Sequence, residues 1–331
     1  MRLWRLAACV LLIAALASAQ DDADYDNTAN EQARLTTQLV THTSAPNYTI
    51  RKEVELVELS FTVRDERGNL VRGVKPEDVR VLENEREVRT IKHFAQSDDL
   101  PLRVGLVVDA SESMAKWKNA PKLALRRFAE LQMRQQTDRA FVVLFGENVS
   151  LRQEATNNGA VLIAASERIQ RRRHTALFDA IVDACERDLV HPEAGVSSRR
   201  ALVVVSDGED NMSRYSLEDA ILAAQREGVA IHVLGLVDPK WHTRGERHLA
   251  RLARETGGLA IFPEKASQVE VALARIEEEL RTQYTIAFTP ERGGVTTRQL
   301  AVEPRQSGWT AHLRGAYHPK RVSLTLFKKR P

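Results

Sequence analysis

The chain has 331 residues, of which 43% are hydrophobic and 28% charged, and its formal net charge is +3. This is ordinary globular composition, long enough for one full domain plus a smaller one. The slight basicity falls well short of a nucleic-acid-binding signature, so no nucleic-acid partner is expected.

The N-terminus reads as an export signal over 1–19. Arg2 and Arg5 give a positive start, Leu6 to Leu16 form an apolar run short for a membrane span, and Ala17-Ser18-Ala19 is a small-x-small cleavage site. An exported protein, periplasmic or secreted, is the expectation, with no membrane span after cleavage. Cys9 leaves with the signal, so Cys185 stands alone and no intramolecular disulfide is expected. Residues 20–51 are polar, open with Asp21, Asp22, Asp24, Asp26 and Glu31, and read as a disordered linker.

Residues 52–98 carry β texture. Val57, Leu59, Phe61 and Val63 alternate along one face, as do Val79 and Val81 after a Gly-Asn turn at 68–69. From 99 to 281 the texture changes to alternating strands and helices. Leu102–Val108, Phe141–Phe145, Ala201–Val205 and Val229–Leu236 are continuous apolar runs, the mark of strands buried on both faces. Between them the periodicity predicts helices over 114–133, over 175–189 and after the Ser216 cap to Gly228. Further helices are predicted near 245–256 and 266–280. The pattern implies a Rossmann-like, doubly wound, mainly parallel α/β sheet with a small accessory β domain. Residues 282–331 return to β, with candidate strands at 284–289, 298–302 and 309–313 that can rejoin the N-terminal β module, and end in a basic tail.

Open α/β sheets bind ligands at the carboxyl ends of their strands. There the first apolar strand delivers Asp109-Ala-Ser111-Glu-Ser113, the third delivers Asp207-Gly-Glu-Asp210, and the approach to the helix at 175 delivers Thr175. Two carboxylates and three hydroxyls are hard oxygen donors, suited to Mg²⁺ or Mn²⁺. Asp109, Ser111, Ser113, Thr175 and Asp207 are therefore the candidate metal ligands. Glu112 adds negative charge at the rim. Arg171, Arg172 and Arg173 precede Thr175 and can steer an acidic partner or simply be solvated. Asp210 is a candidate for the partner surface or an acid at a helix N-terminus.

These segments, in this order, resemble the metal-ion-dependent adhesion site of von Willebrand factor A domains. Asp78-Val-Arg-Val-Leu-Glu, Thr256-Gly-Gly and Leu280-Arg-Thr-Gln-Tyr further resemble the exported bacterial VWFA-related Acidobacterial group. The resemblance implies that Ser111, Ser113 and Thr175 bind the ion directly and the aspartates directly or through water. It implies a metal-dependent protein–protein interaction in which a partner's Glu or Asp completes the coordination. A structural part of an envelope complex without a functional metal is the competing reading. A Mg²⁺-dependent hydrolase with Asp109 as nucleophile is disfavoured, because Ser111 stands where such phosphatases carry a second acid and no phosphate-cradling glycines follow. No enzyme activity is expected.

Overall fold

The computed structural model describes residues 57–96, 100–117, 119–133, 137–165, 173–187, 198–238, 243–290 and 297–317. The signal, the linker, the basic tail, Arg171 and Arg172 lie outside the described residues.

Four strands come first: β1 (Val57–Arg64), β2 (Val79–Glu83), β3 (Arg86–Glu87) and β4 (Ile91–Gln96). The α/β part then runs β5 (Leu102–Asp109), α1 (Ala120–Met133), β6 (Arg139–Phe145), β7 (Val149–Thr156), α2 (Gly159–Ala164), α3 (Leu177–Glu186), β8 (Arg199–Ser206), α4 (Leu217–Glu227), β9 (Ala230–Gly235), α5 (Arg244–Thr256), β10 (Ala260–Ile261) and α6 (Val269–Arg281). Four strands close the described chain: β11 (Tyr284–Phe288), β12 (Arg298–Pro304), β13 (Thr310–Leu313) and β14 (Ala316–Tyr317).

The central sheet has the order β10-β9-β8-β5-β6-β7. Its pairs are parallel except β6–β7. Each buried strand feeds two cores, because successive side chains point to opposite faces. Val104, Leu106 and Val108 pack in one core with residues of α1, α2 and α6. Val107, Phe141, Val143, Leu202 and Val204 pack in the other with residues of α3, α4 and α5. This is the doubly wound α/β architecture that the uninterrupted apolar runs imply.

One helical expectation changes. The helix predicted over 114–133 is a 3₁₀ segment, Glu112–Trp117, followed by α1 from Ala120. Pro121 explains the break: proline lacks the N–H a helix interior needs, yet fits a first turn. Strand β7 and helix α2 are absent from the sequence reading. β7 alternates half-buried and exposed residues along the sheet edge, and α2 has only six residues, capped by Asn158.

The flanking strands form two antiparallel sheets, β13-β1-β11-β4 and β14-β12-β2-β3. Their inner faces share one core containing Leu59, Phe61, Val81, Tyr284, Ile286, Phe288 and Val302. Tyr284 ties it down by accepting from Val74 N (3.1 Å) and donating to Val71 O (3.0 Å). The sandwich is fastened to the α/β part by polar contacts. Glu279 on α6 accepts from Thr62 Oγ1 (2.7 Å) and pairs with Arg64, both on β1. Arg314 donates to Gln225 O (3.2 Å) at the end of α4 and to Glu58 O (2.7 Å).

Candidate functional site

Parallel pairing sets β5 and β8 side by side with Val108 opposite Val205, so the residues that end the two strands meet at one edge. Asp109 is only 1% exposed. Its Oδ1 accepts from Ser111 N (2.8 Å) and its Oδ2 from Ser206 Oγ (2.6 Å). Burial pushes the Asp109 carboxyl up to about 6, and the negative charge of Asp207 pushes the same way, against the hydrogen bonds from Ser111 and Ser206. A buried carboxyl whose charge is disfavoured by burial and by a neighbouring Asp207 is one whose ionised form a divalent cation would favour.

The turn after β5 places Ser111 Oγ 2.8 Å from Ser113 Oγ. Two hydroxyls this close can share one ion. Asp207 begins the next loop, where its Oδ1 accepts from Glu209 N (3.1 Å). Thr175 is 3% exposed and is clasped by that same loop: its N–H donates to Asn211 Oδ1 (2.9 Å), and its carbonyl accepts from Asn211 N (3.0 Å) and Met212 N (3.1 Å). The oxygen-only donor set fits a hard divalent cation. Among the described residues no three His, Cys, Asp or Glu side chains gather as an alternative metal-holding group.

Two residues that position this site are missing from the sequence reading. Ser206 is fully buried, donates to Asp109 and accepts from Gly208 N (3.0 Å), so it locks the two acidic loops together. Its signal is faint: a lone serine closing an apolar strand just before Asp-Gly. Asn211, which holds Thr175, has no sequence signal beyond its place in the loop.

The remaining candidates separate. Glu112 and Arg173 are exposed. Asp210 is occupied at the start of α3, where its Oδ2 accepts from Phe178 N (3.0 Å) and Ser213 Oγ (2.5 Å). A carboxylate at a helix N-terminus satisfies free N–H groups and complements the helix dipole.

The Asp207 loop also leans on α5. Gly208 has φ +81°, and a Cβ on it would come within 2.4 Å of Gly245 O. A Cβ on Gly245 would meet Asp207 O at 2.5 Å. The obstacles are backbone, which cannot swing aside. Gly245→Ala is therefore expected to destabilise the protein by ~1–3 kcal/mol, seen as a lowered thermal midpoint. An unchanged midpoint would mean that α5 and the Asp207 loop can separate freely.

The family model described as the von Willebrand factor type A domain matches residues 104–275, over half of the chain. Solved structures of similar fold include an aerotolerance-related membrane protein from Bacteroides fragilis with multiple mutations to serines, at 20% identity, covering 54% of this chain and 98% of that one, TM-score 0.45. They also include a von Willebrand factor type A protein from Catenulispora acidiphila, at 13% identity, 82% and 74% coverage and TM-score 0.45. A third is proximal thread matrix protein 1 from the mussel byssus, whose metal-ion-dependent adhesion motif is described as zinc-occupied, at 16% identity, 61% and 50% coverage and TM-score 0.47. No curated protein matches. With its doubly wound sheet and matched domain, this chain belongs to the von Willebrand factor type A domain family.

Proposed function

We propose that this chain is an exported binding module that holds Mg²⁺ or Mn²⁺ through Asp109, Ser111, Ser113, Thr175 and Asp207 and bridges through the ion to an acidic residue of a protein partner. Asp109 carries the reading: a buried carboxyl raised to about 6 by burial and by Asp207, beside a pair of hydroxyls 2.8 Å apart. Neutral hydroxyls leave the ion short of negative charge. A carboxylate from a partner, entering an open coordination position, supplies it. Arg173, exposed just before Thr175, favours the approach of such an acidic partner.

Hydrolysis through an Asp109 nucleophile has little support, because Ser111 stands where such phosphatases carry a second acid and no phosphate-cradling glycines follow. In this reading the signal over 1–19 delivers the protein beyond the cytoplasm, and the β sandwich braces the binding domain. None of the described helices is long and apolar enough to cross a membrane.

Titration calorimetry with Mg²⁺ and Mn²⁺ tests the ion. The wild type is expected to bind one ion saturably, with Asp109→Ala and the double variant Ser111→Ala/Ser113→Ala losing at least about tenfold in affinity while staying folded. Equal binding by either variant would move the ion elsewhere and retire the proposal.

A further inference from the structure

A carboxylate on a metal ion gives affinity but little identity, since most proteins display Glu and Asp. Partner choice must come from side chains beside the ion. Five large apolar side chains stand exposed among the described residues: Val161 and Ile163 on α2, Val271 on α6, and Met212 and Tyr215 together on the loop that follows Asp207. Met212 is 44% and Tyr215 41% exposed.

That loop is held rigidly against the candidate ligands. Met212 N donates to the carbonyl of Thr175 (3.1 Å). Arg214 N and Tyr215 N both donate to Asp179 Oδ1 (2.8 and 3.0 Å), and Arg214 Nε to Asp179 Oδ2 (3.1 Å). The Arg214 guanidinium lies 5.9 Å from the centre of the Tyr215 ring, with its side chain 83% exposed. A loop pinned at so many points loses little freedom when a partner arrives. Tyr, Met and Arg are the side chains enriched where protein interfaces bury their centres, and Tyr and Arg dominate binding energy there. Met212 and Tyr215 thus both face water on a pinned loop, with Met212 one backbone hydrogen bond from the candidate ligand Thr175.

We propose that Met212 and Tyr215, with Arg214 between them, form the specificity ledge of this site. It selects a protein segment carrying a large apolar side chain close to the Glu or Asp that reaches the ion. The inference rests on the metal-bridge reading above. Arg214 adds a preference for a further acidic or carbonyl group alongside.

The test is selection from a phage-displayed library of random peptides around a fixed central Glu. Wild type and Met212→Ser/Tyr215→Ser are compared, each with Mg²⁺ and with chelator. Calorimetry with Mg²⁺ alone verifies that the variant keeps its ion. The expected result is metal-dependent enrichment of Phe, Trp, Leu or Met near the Glu by the wild type. The variant should lose that flanking preference and bind the selected peptides about tenfold or more weakly at unchanged Mg²⁺ affinity. Metal-dependent selection of Glu with no apolar flank, or with the same flank in the variant, would overturn the ledge and leave the metal bridge standing. Apolar selection that ignores chelator, or no selection by the wild type, would overturn both. A dimer in sedimentation that the double substitution dissolves would give the ledge to a second copy of the chain and likewise overturn the proposal.

Discussion

In chelator at neutral pH, Asp109→Asn is expected to unfold at a higher temperature than the wild type, and to gain nothing when Mg²⁺ is added. The wild-type carboxyl is raised from 3.8 to about 6, first by burial and then by Asp207. Keeping it ionised in the metal-free fold costs about 3 kcal/mol at neutral pH. Asn removes the charge and keeps the shape: its oxygen still accepts from Ser111 N, and its amide can donate to Ser206 Oγ. Because the folded value lies above the unfolded one, the native state holds this proton more tightly. The penalty is absent below about pH 4 and complete above about pH 6, so this group makes the metal-free wild type less stable as pH rises across that window, and the variant lacks that contribution. A shift of several degrees in its favour is the expected scale for a domain of this size. Saturating Mg²⁺ reverses the order, because only the wild type gains by binding. Thermal melts with and without chelator measure both signs. A variant less stable than wild type in chelator would show that the Asp109 hydrogen bonds outweigh its buried charge.

The strands of the α/β part are legible because a run such as Leu102–Val108 has no polar residue to spend on a solvent face, apart from Arg103 at its start. Ser216 and Gly228 are equally legible: the serine accepts from Asp219 N, and the glycine adopts the left-handed turn that closes α4. The spacing of Asp109, Ser111 and Ser113 names three candidate ligands within one turn. What holds Thr175 in place is tertiary. It depends on Asn211 reaching across from the Asp207 loop, and a neutral amide in a polar loop leaves no pattern to read. Ser206 is hidden for the related reason that a small hydroxyl does not interrupt an apolar strand. Alternation shows which face of β1 is buried but not that Leu59 lies opposite Ile286, far along the chain. The helix over 114–133 misleads because apolar spacing continues through Pro121, where the backbone cannot.

A second titration opposes the first within the same acid range. His232 lies in β9 opposite Val203, is fully buried, and is pushed down from 6.5 to about 3 by burial, with a smaller push from His312. Its Nδ1 accepts from Leu259 N (3.2 Å), so a second ring proton would set donor against donor. As pH falls below about 6.5 the unfolded chain takes up this proton and the native state does not. The stability this group gives is therefore complete above about pH 6.5 and is lost as pH falls toward about 3, by about 1.4 kcal/mol per unit. Between about pH 6.5 and about pH 4 the loss is about 3 kcal/mol, comparable with the gain from protonating Asp109 and opposite in sign. In chelator the two nearly cancel, and the wild type is expected to respond weakly to pH there. His232→Gln keeps an acceptor for Leu259 N and cannot titrate. It is expected to cost ~1–3 kcal/mol at neutral pH, yet to become more stable as pH falls from about 6 to about 4, when the Asp109 relief is no longer offset. Asp109→Asn should do the reverse and lose stability steeply over that range, because only the His232 contribution is left. Urea unfolding at stepped pH separates them. Parallel curves for wild type and His232→Gln would mean that the imidazole reaches a proton in the native state and that β9 is less tightly closed than its packing indicates.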